Sequence, residues 1–246
     1  MQVEIRPDER IDDLQIGGYS ILQRPGSFCF GTDAVLLADF ATPRKKDCAA
    51  DLGTGTGIIA ILMAAHQAEI CIDAVEIQPE MADMAARSVQ LNNLQDRIHV
   101  HQGDMRDAWR SLGQGSKSLV TCNPPYGRKN SGPVSETEPQ RIARHEDDLS
   151  PDELVRSAAQ LLKFGGRFCI VYPARRAAEM MLAMQRHHLE PKRIRTIHAR
   201  AGRAPKLILL EAVKGAHCGL NWMAPLILYN DDGSPSAEWR RIYRIQ

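Results

Sequence analysis

The ten residues Cys48-Ala49-Ala50-Asp51-Leu52-Gly53-Thr54-Gly55-Thr56-Gly57 decide the fold class. Cys48–Leu52 is short and apolar, as a buried strand is. It runs through three alternating glycines into Ile58–His66, an apolar stretch that reads as a helix. Strand, glycine turn and helix line the crevice of an open parallel sheet. The spacing is G-x-G-x-G rather than the dinucleotide G-x-G-x-x-G, so a pyrophosphate is not the natural occupant. Glycines let a ligand lie against the backbone, and the acid Asp51 suits a cationic or amine-bearing one. A lone turn of this kind is as often purely structural, so its neighbours must decide.

Downstream, Ile70–Val75 reads as a second strand and ends in Glu76, an acid placed to bind the two hydroxyls of a ribose. Pro79 opens a helix over Glu80–Leu91 as a natural first-turn residue. Arg97–His101 is a third strand, and Asp104 follows where an acid can accept from an adenine amine. Leu119–Cys122 is a fourth, broken by Asn123-Pro124-Pro125-Tyr126. The two prolines fix φ, remove two donors and hold Asn123 and Pro124 extended. The Asn123 side-chain oxygen and the Pro124 carbonyl can each accept one hydrogen of an NH₂ group, with the Tyr126 ring stacked on the attached π-system. The competing reading is a strand-to-loop corner with a capping Asn and a packed Tyr.

Upstream, Ile11–Ile16 and Tyr19–Arg24 flank Gly17-Gly18 as a hairpin. Thr32 or Asp33 is the expected N-cap of a helix over Ala34–Phe40. Past the corner, 127–148 lacks periodicity; a loop of that length beside a chemical site is usually functional. Ser150 should cap a helix over Leu154–Leu162, followed by strand Arg167–Tyr172, helix Ala174–His187 and strands Arg193–His198 and Lys206–Val213. The expected fold is α/β, a doubly wound, mostly parallel seven-stranded sheet with an antiparallel C-terminal edge and an N-terminal β-hairpin. One domain is expected over 1–246: hairpin extension 1–30, core 31–215, C-terminal extension 216–246.

The 31 Lys+Arg and 30 Asp+Glu of this 246-residue chain nearly cancel, so any nucleic-acid surface must be local. The densest basic stretch is Arg186–Lys206, with seven Lys/Arg against Glu190. Within it, 199–205 reads as a flexible basic loop carrying Arg200 and Arg203, suited to a phosphate backbone. The rival reading is a basic hairpin edge that discourages strand pairing. The flap cations Arg128, Lys129, Arg141 and Arg144 are the second candidate surface. Six scattered cysteines without metal-like spacing read as reduced, buried thiols of a cytosolic protein, with no metal. The N-terminus is polar, and the longest apolar run is too short for a bilayer.

Asp51–Gly57, Glu76, Asp104 and Asn123–Tyr126 together resemble the S-adenosylmethionine site and amino-methylating motif of class I methyltransferases. The resemblance implies that the loop Gly53-Thr54-Gly55-Thr56-Gly57 passes beneath the methionine and ribose. Glu76 would then bind the ribose hydroxyls and Asp104 the adenine amine. It further implies that the helix opened by Thr32 and Asp33 closes over the cofactor, and that Asn123, Pro124 and Tyr126 are catalytic. The Gly-Gly-Tyr hairpin, the run Phe30–Ala38, Arg141–Glu146 and Pro225–Tyr229 are similar to bacterial valine-tRNA adenine-N6 methyltransferases. That branch implies a cytoplasmic enzyme, with a monomer favoured, acting on the adenine just 3′ of the anticodon, in the tRNA anticodon loop. Three rivals stay open: a protein glutamine N5-methyltransferase, another RNA or DNA amino-methyltransferase, and a non-catalytic RNA-binding module.

Overall fold

A β-strand puts successive side chains on opposite faces, and that alternation sorts this sheet into two cores. Ala49, Ile72, Leu119, Cys169 and Leu209 enter one cluster; Ala50, Val75, Val120, Phe168 and Leu210 enter the other. The computed structural model describes residues 3–25, 31–125 and 150–243. The strands in order are β1 (Arg10–Asp13), β2 (Ser20–Gln23), β3 (Cys48–Leu52), β4 (Cys71–Glu76), β5 (Ile98–Gln102), β6 (Lys117–Cys122), β7 (Leu162–Pro173), β8 (Leu189–His198), β9 (Leu207–Lys214), β10 (Asn221–Trp222) and β11 (Leu226–Ile227). The helices are α1 (Thr32–Ala41), α2 (Ile58–His66), α3 (Pro79–Leu91), α4 (Ala108–Leu112), α5 (Pro151–Leu161), α6 (Ala177–Arg186) and α7 (Ala237–Tyr243). Helices α1, α2 and α7 pack on the first face, α4, α5 and α6 on the second.

The large sheet runs β10-β8-β9-β7-β6-β3-β4-β5, with β11 also on β8. Strands β5, β4, β3, β6 and β7 are mutually parallel. β9 lies antiparallel between β7 and β8, so β8 regains the parallel direction. Chain order reverses at β3, which takes β4 on one side and β6 on the other. A ligand crevice opens beyond the carboxyl ends at such a switch point. β10 and β11, each two residues long, and α7 are elements the sequence pattern did not announce. β10 and β11 extend the sheet beyond β8, and α7 packs on α1.

The hairpin is a separate two-stranded sheet. Its turn is Ile16–Tyr19, closed by Tyr19 N–H to Ile16 O at 3.1 Å. Gly17 and Gly18 both have positive φ, 64° and 72°, which a two-residue hairpin turn of matching twist requires. β2 is pinned to α3 by Leu22 N–H to Ser88 Oγ (3.0 Å) and Ser20 N–H to Asn92 Oδ1 (2.8 Å).

Two local expectations change. The N-cap of α1 is Gly31, with no side-chain cap bond, and Thr32 and Asp33 occupy the first turn. Of the cysteines described, Cys122 and Cys169 are buried, Cys48 is half-buried, and Cys71 and Cys218 are exposed. Cys71 is the first residue of β4, at the end of the strand away from the rim, and Cys218 lies in the connection after β9. Ser150 does cap α5, in a full capping box with Glu153.

Candidate active site

Strand register brings the dispersed candidates to one rim. Leu52 stands abreast of both Val75 and Cys122. The next residue on each strand is Gly53, Glu76 and Asn123. Neighbouring strands lie about 4.8 Å apart, which puts Asn123 about 5 Å from the line of Gly53 and about 10 Å from that of Glu76. Gln102 pairs with Glu76 on β5, so Asp104 lies just beyond the next strand end. Helix α1 belongs to this rim through its start. Its last carbonyls are held by Arg167 and Arg193, which lie low on β7 and β8, so Thr32 and Asp33 face the carboxyl end of the sheet.

The glycine loop is tied down before any ligand arrives. Gly53 and Thr54 N–H both donate to Val75 O, at 2.9 and 3.0 Å. A Cβ on Gly53 would stand 2.8 Å from Met105 Cε, the movable end of a flexible side chain, so the φ of +71° rather than a lack of space calls for glycine here. Gly55 N–H donates to Glu76 Oε2 at 2.8 Å, and Gln78 N–H to Oε1 at 3.0 Å. Burial pushes the Glu76 carboxyl up, and these N–H groups partly oppose it. Each oxygen keeps lone-pair capacity, which two vicinal hydroxyls would use.

Asp51 faces inward. Its oxygens accept from Thr54 Oγ1 (2.6 Å) and Thr121 Oγ1 (2.7 Å), it is wholly buried, and burial lifts its pKa to about 6. It therefore shapes the loop from beneath. Asp104 is gripped by Arg106, Nε at 2.9 Å and Nη2 at 2.5 Å, with Arg106 N–H on the other oxygen at 2.8 Å. Burial alone would raise the Asp104 carboxyl, but Arg106 holds it below the ordinary range. Any amine donor reaching Asp104 would share it with that guanidinium. Arg106 and Thr121 are site residues that the sequence reading missed. The acid-x-arginine spacing at 104–106 was a visible signal, whereas Thr121 reaches Asp51 only through pairing of strands far apart in the chain.

Burial, then the negative charge of Asp51 and Glu76, pushes the Cys122 thiol far above its ordinary range, so it is no nucleophile. Asn123 is half-buried, Pro124 buried and Pro125 exposed at the end of β6. Tyr126, Arg128, Lys129, Arg141 and Arg144 lie outside the described residues.

The basic stretch divides sharply. Arg193 stacks 4.5 Å over Phe40 and donates to Glu211, while Arg195 pairs with Glu238 at 2.7 Å. Lys192 donates to His217 O, and Arg186 lies 3.9 Å from Asp152. Arg200, Arg203 and Lys206 stay exposed. They stand on a constructed turn rather than a flexible loop: Arg203 N–H donates to Arg200 O at 3.2 Å, and His198 Nδ1 meets Arg203 O at 2.5 Å.

A family profile described as "Methyltransferase small domain" matches residues 18–193, most of the chain and every rim residue above. The chain belongs to the class I S-adenosylmethionine-dependent methyltransferases. This methyltransferase is 32% identical, over 68% of its length and 74% of the relative's, to a "tRNA1(Val) (adenine(37)-N6)-methyltransferase" of Erwinia tasmaniensis. A protein of the same description from Photobacterium profundum is 26% identical over 87% of this chain and 88% of its own. Among solved structures, a predicted O-methyltransferase of Agrobacterium tumefaciens superposes with a TM-score of 0.71 at 24% identity, covering 86% of this chain and 95% of its own. Geranyl diphosphate C-methyltransferase of Streptomyces coelicolor, bound to S-adenosyl-L-homocysteine, shares the fold with a TM-score of 0.55 at 14% identity, over 74% of this chain and 76% of its own. S-adenosylmethionine is accordingly the methyltransferase's cofactor. The donor set fits it: a carboxylate with spare lone pairs at the β4 end, a second acid at the β5 end, and between β3 and α2 a turn whose Gly53, Gly55 and Gly57 all hold positive φ.

Proposed function

We propose that this methyltransferase methylates the N6 amine of the adenine just 3′ of the anticodon in a valine tRNA. The observation that carries the reading is the register that sets Asn123-Pro124 beside Gly53 and Glu76 on one rim. The names of relatives near 30% identity support the substrate. Glu76 would hold the ribose hydroxyls, and Asp104, sharing Arg106, the adenine amine of the cofactor. Gly53, Thr54, Gly55 and Gly57 would floor the site over Asp51, and Thr32 and Asp33 would close it. Bound S-adenosylmethionine supplies an electrophilic methyl group on a sulfonium.

The chain's own residues then need to align a weak nucleophile, whose lone pair is delocalised into the adenine ring. The Asn123 side-chain oxygen and the Pro124 carbonyl accept the two amino hydrogens. This favours a tetrahedral nitrogen and disperses its growing positive charge. No base is needed before attack; the proton leaves afterwards to water. Tyr126 would stack on the extracted base, and Arg128, Lys129, Arg200 and Arg203 would meet phosphates. A tRNA substrate places the enzyme in the cytoplasm. We read it as a monomeric single domain, with extensions at 1–30 and 216–246 around a core at 31–215.

Incubation with labelled S-adenosylmethionine and, separately, total tRNA, DNA or protein tests the reading. Label in N6-methyladenine of a valine tRNA is expected. Label confined to protein glutamine would replace the reading with the amide-methylating one, and label in DNA with the other nucleic-acid one.

A further inference from the structure

The β8–β9 hairpin end carries an open pocket of about 400 Å³ lined by Ala199, Arg200, Arg203, Ala204, Lys206 and Tyr229. That is a volume typical of small-ligand sites. Its walls combine three cations with one aromatic ring. Arg200, Arg203 and Lys206 form no ion pair among the described residues, while Arg193 and Arg195 of the same stretch are both neutralised. Tyr229 is 37% exposed, one of the few large apolar side chains at the surface. Its backbone is fixed by Tyr229 N–H to Ala199 O at 3.0 Å and by pairing with Pro235. The turn that carries Arg203 is itself fixed by His198, which bonds both to the Arg203 carbonyl and to Thr196 Oγ1. The pocket is thus formed by the fold before any ligand arrives.

Its place follows from the ladders. Cys122 pairs with Ile170, Pro173 pairs with Leu207, and Ala174 N–H donates to Lys206 O. The pocket therefore stands about four residues, roughly 13 Å, above the end of β6. It lies three strands, roughly 14 Å, to one side. β8 runs parallel to β6, so the pocket and Asn123 share the carboxyl edge of the sheet.

We infer that this pocket holds one nucleotide of the single-stranded loop that presents the target adenine, its base stacked on Tyr229 and its phosphates between Arg200, Arg203 and Lys206. Aromatic stacking beside guanidinium groups is how unpaired nucleotides are held without sequence readout. A duplex would offer phosphates but no free base face. The inference rests on the tRNA reading and adds to it a second anchoring point some distance from the chemistry.

The test measures binding of the full-length methyltransferase to transcribed valine tRNA and to its isolated anticodon stem-loop, across a salt series. Tyr229→Ala should weaken both about 5- to 100-fold while Tyr229→Phe restores binding, because the stack needs the ring and not the hydroxyl. Arg203→Ala should also flatten the salt dependence by about 0.7 of a slope unit, the single-strand value. Ultraviolet irradiation should cross-link the stem-loop to the peptide bearing Tyr229. Melting curves equal to wild type confirm that the variants are folded. Wild-type affinities in Tyr229→Ala and Arg203→Ala, with wild-type enzyme still binding tRNA, would overturn the pocket and leave the tRNA reading standing. Wild-type enzyme that binds no RNA would overturn both.

Discussion

Asn123 follows a buried strand and is half-buried itself, so its carboxamide is placed by the β6 backbone rather than by a mobile loop. Replacing it with alanine removes one acceptor for the amine while leaving the β3 and β4 ends untouched. Asn123→Ala should lower kcat by about 10²–10³, the usual cost of one preorganised polar contact to developing charge, with cofactor affinity by calorimetry unchanged. Asp51 makes a different kind of prediction. Its pKa rises from 3.8 to about 6 on folding because burial outweighs the two threonine hydroxyls. A carboxyl raised in the native state favours folding least when ionised, so its penalty is absent below pH 3.8 and complete above about 6. The size of the shift corresponds to about 3 kcal/mol. Asp51→Asn should therefore gain stability relative to wild type as pH rises from 4 to 6.5, read from urea midpoints; parallel curves would show that Asp51 is ionised at little cost.

At the scale of elements, α1 depends on arginines from distant strands. Arg167 donates to Ala41 O (2.8 Å) and Thr42 O (3.3 Å), and Arg193 to Phe40 O (3.0 Å), so the last carbonyls of the helix meet cations, the sign its macrodipole favours. Glu211 holds both arginines, with Asp47 assisting at Arg167. Burial alone would raise Glu211, but Arg193 and Arg167 more than offset it and keep the carboxylate ionised. Arg167→Met takes from Asp47 its ionic partner and from the Ala41 and Thr42 carbonyls this donor, and leaves Glu211 with Arg193 alone. It should cost about 3–5 kcal/mol in denaturant unfolding with an unchanged slope. Because α1 brings Thr32 and Asp33 to the rim, the same variant should also weaken S-adenosylmethionine binding.

The whole molecule is held at its N-terminal end by a second ion cluster. Arg87 of α3 grips Glu9 through both terminal nitrogens at 2.6 Å and also bonds Asp83 and Glu4 O, so the residues before the hairpin are anchored to the main sheet's helix layer. Hydrogen bonding from Arg87 takes the Glu9 pKa from 4.5 to about 2. A depressed carboxyl contributes stability above its unfolded pKa and loses it as pH falls through the folded one. This contribution is therefore complete above pH 4.5 and fades toward pH 2, opposite in sign to Asp51. In Arg87→Ala, amides of 10–23 should exchange faster at neutral pH, and wild type should approach the variant's protection as pH falls toward 2. Equal protection at neutral pH would show that the hairpin is held by Leu22, Ser88 and Asn92 alone.

Much of this was readable along the chain because it depends on local chemistry. Alternating glycines after Cys48–Leu52, Pro79 at a helix start, Ser150 with Glu153, and Gly17-Gly18 between strands each constrain φ or satisfy backbone groups within a few residues. Strand–turn–helix repetition then leaves a doubly wound sheet as the natural packing, with acids at successive strand ends on one edge. What tertiary structure decided is where long side chains go. Arg193 and Arg195 looked like partners of Arg200 and Arg203, and only the pairing of β8 with β9 and the docking of α1 and α7 turned the first two inward to Glu211 and Glu238. Asp51 looked like a ligand for a cation, yet Thr121, seventy residues away, draws it beneath the loop. Tyr229 entered the sequence reading only as the end of the Pro225–Tyr229 resemblance, and it meets the basic turn because β11 lies against β8. Charge and aromaticity are properties of residues; whether they face a ligand, a partner or solvent is set by pairings that no short stretch of sequence contains.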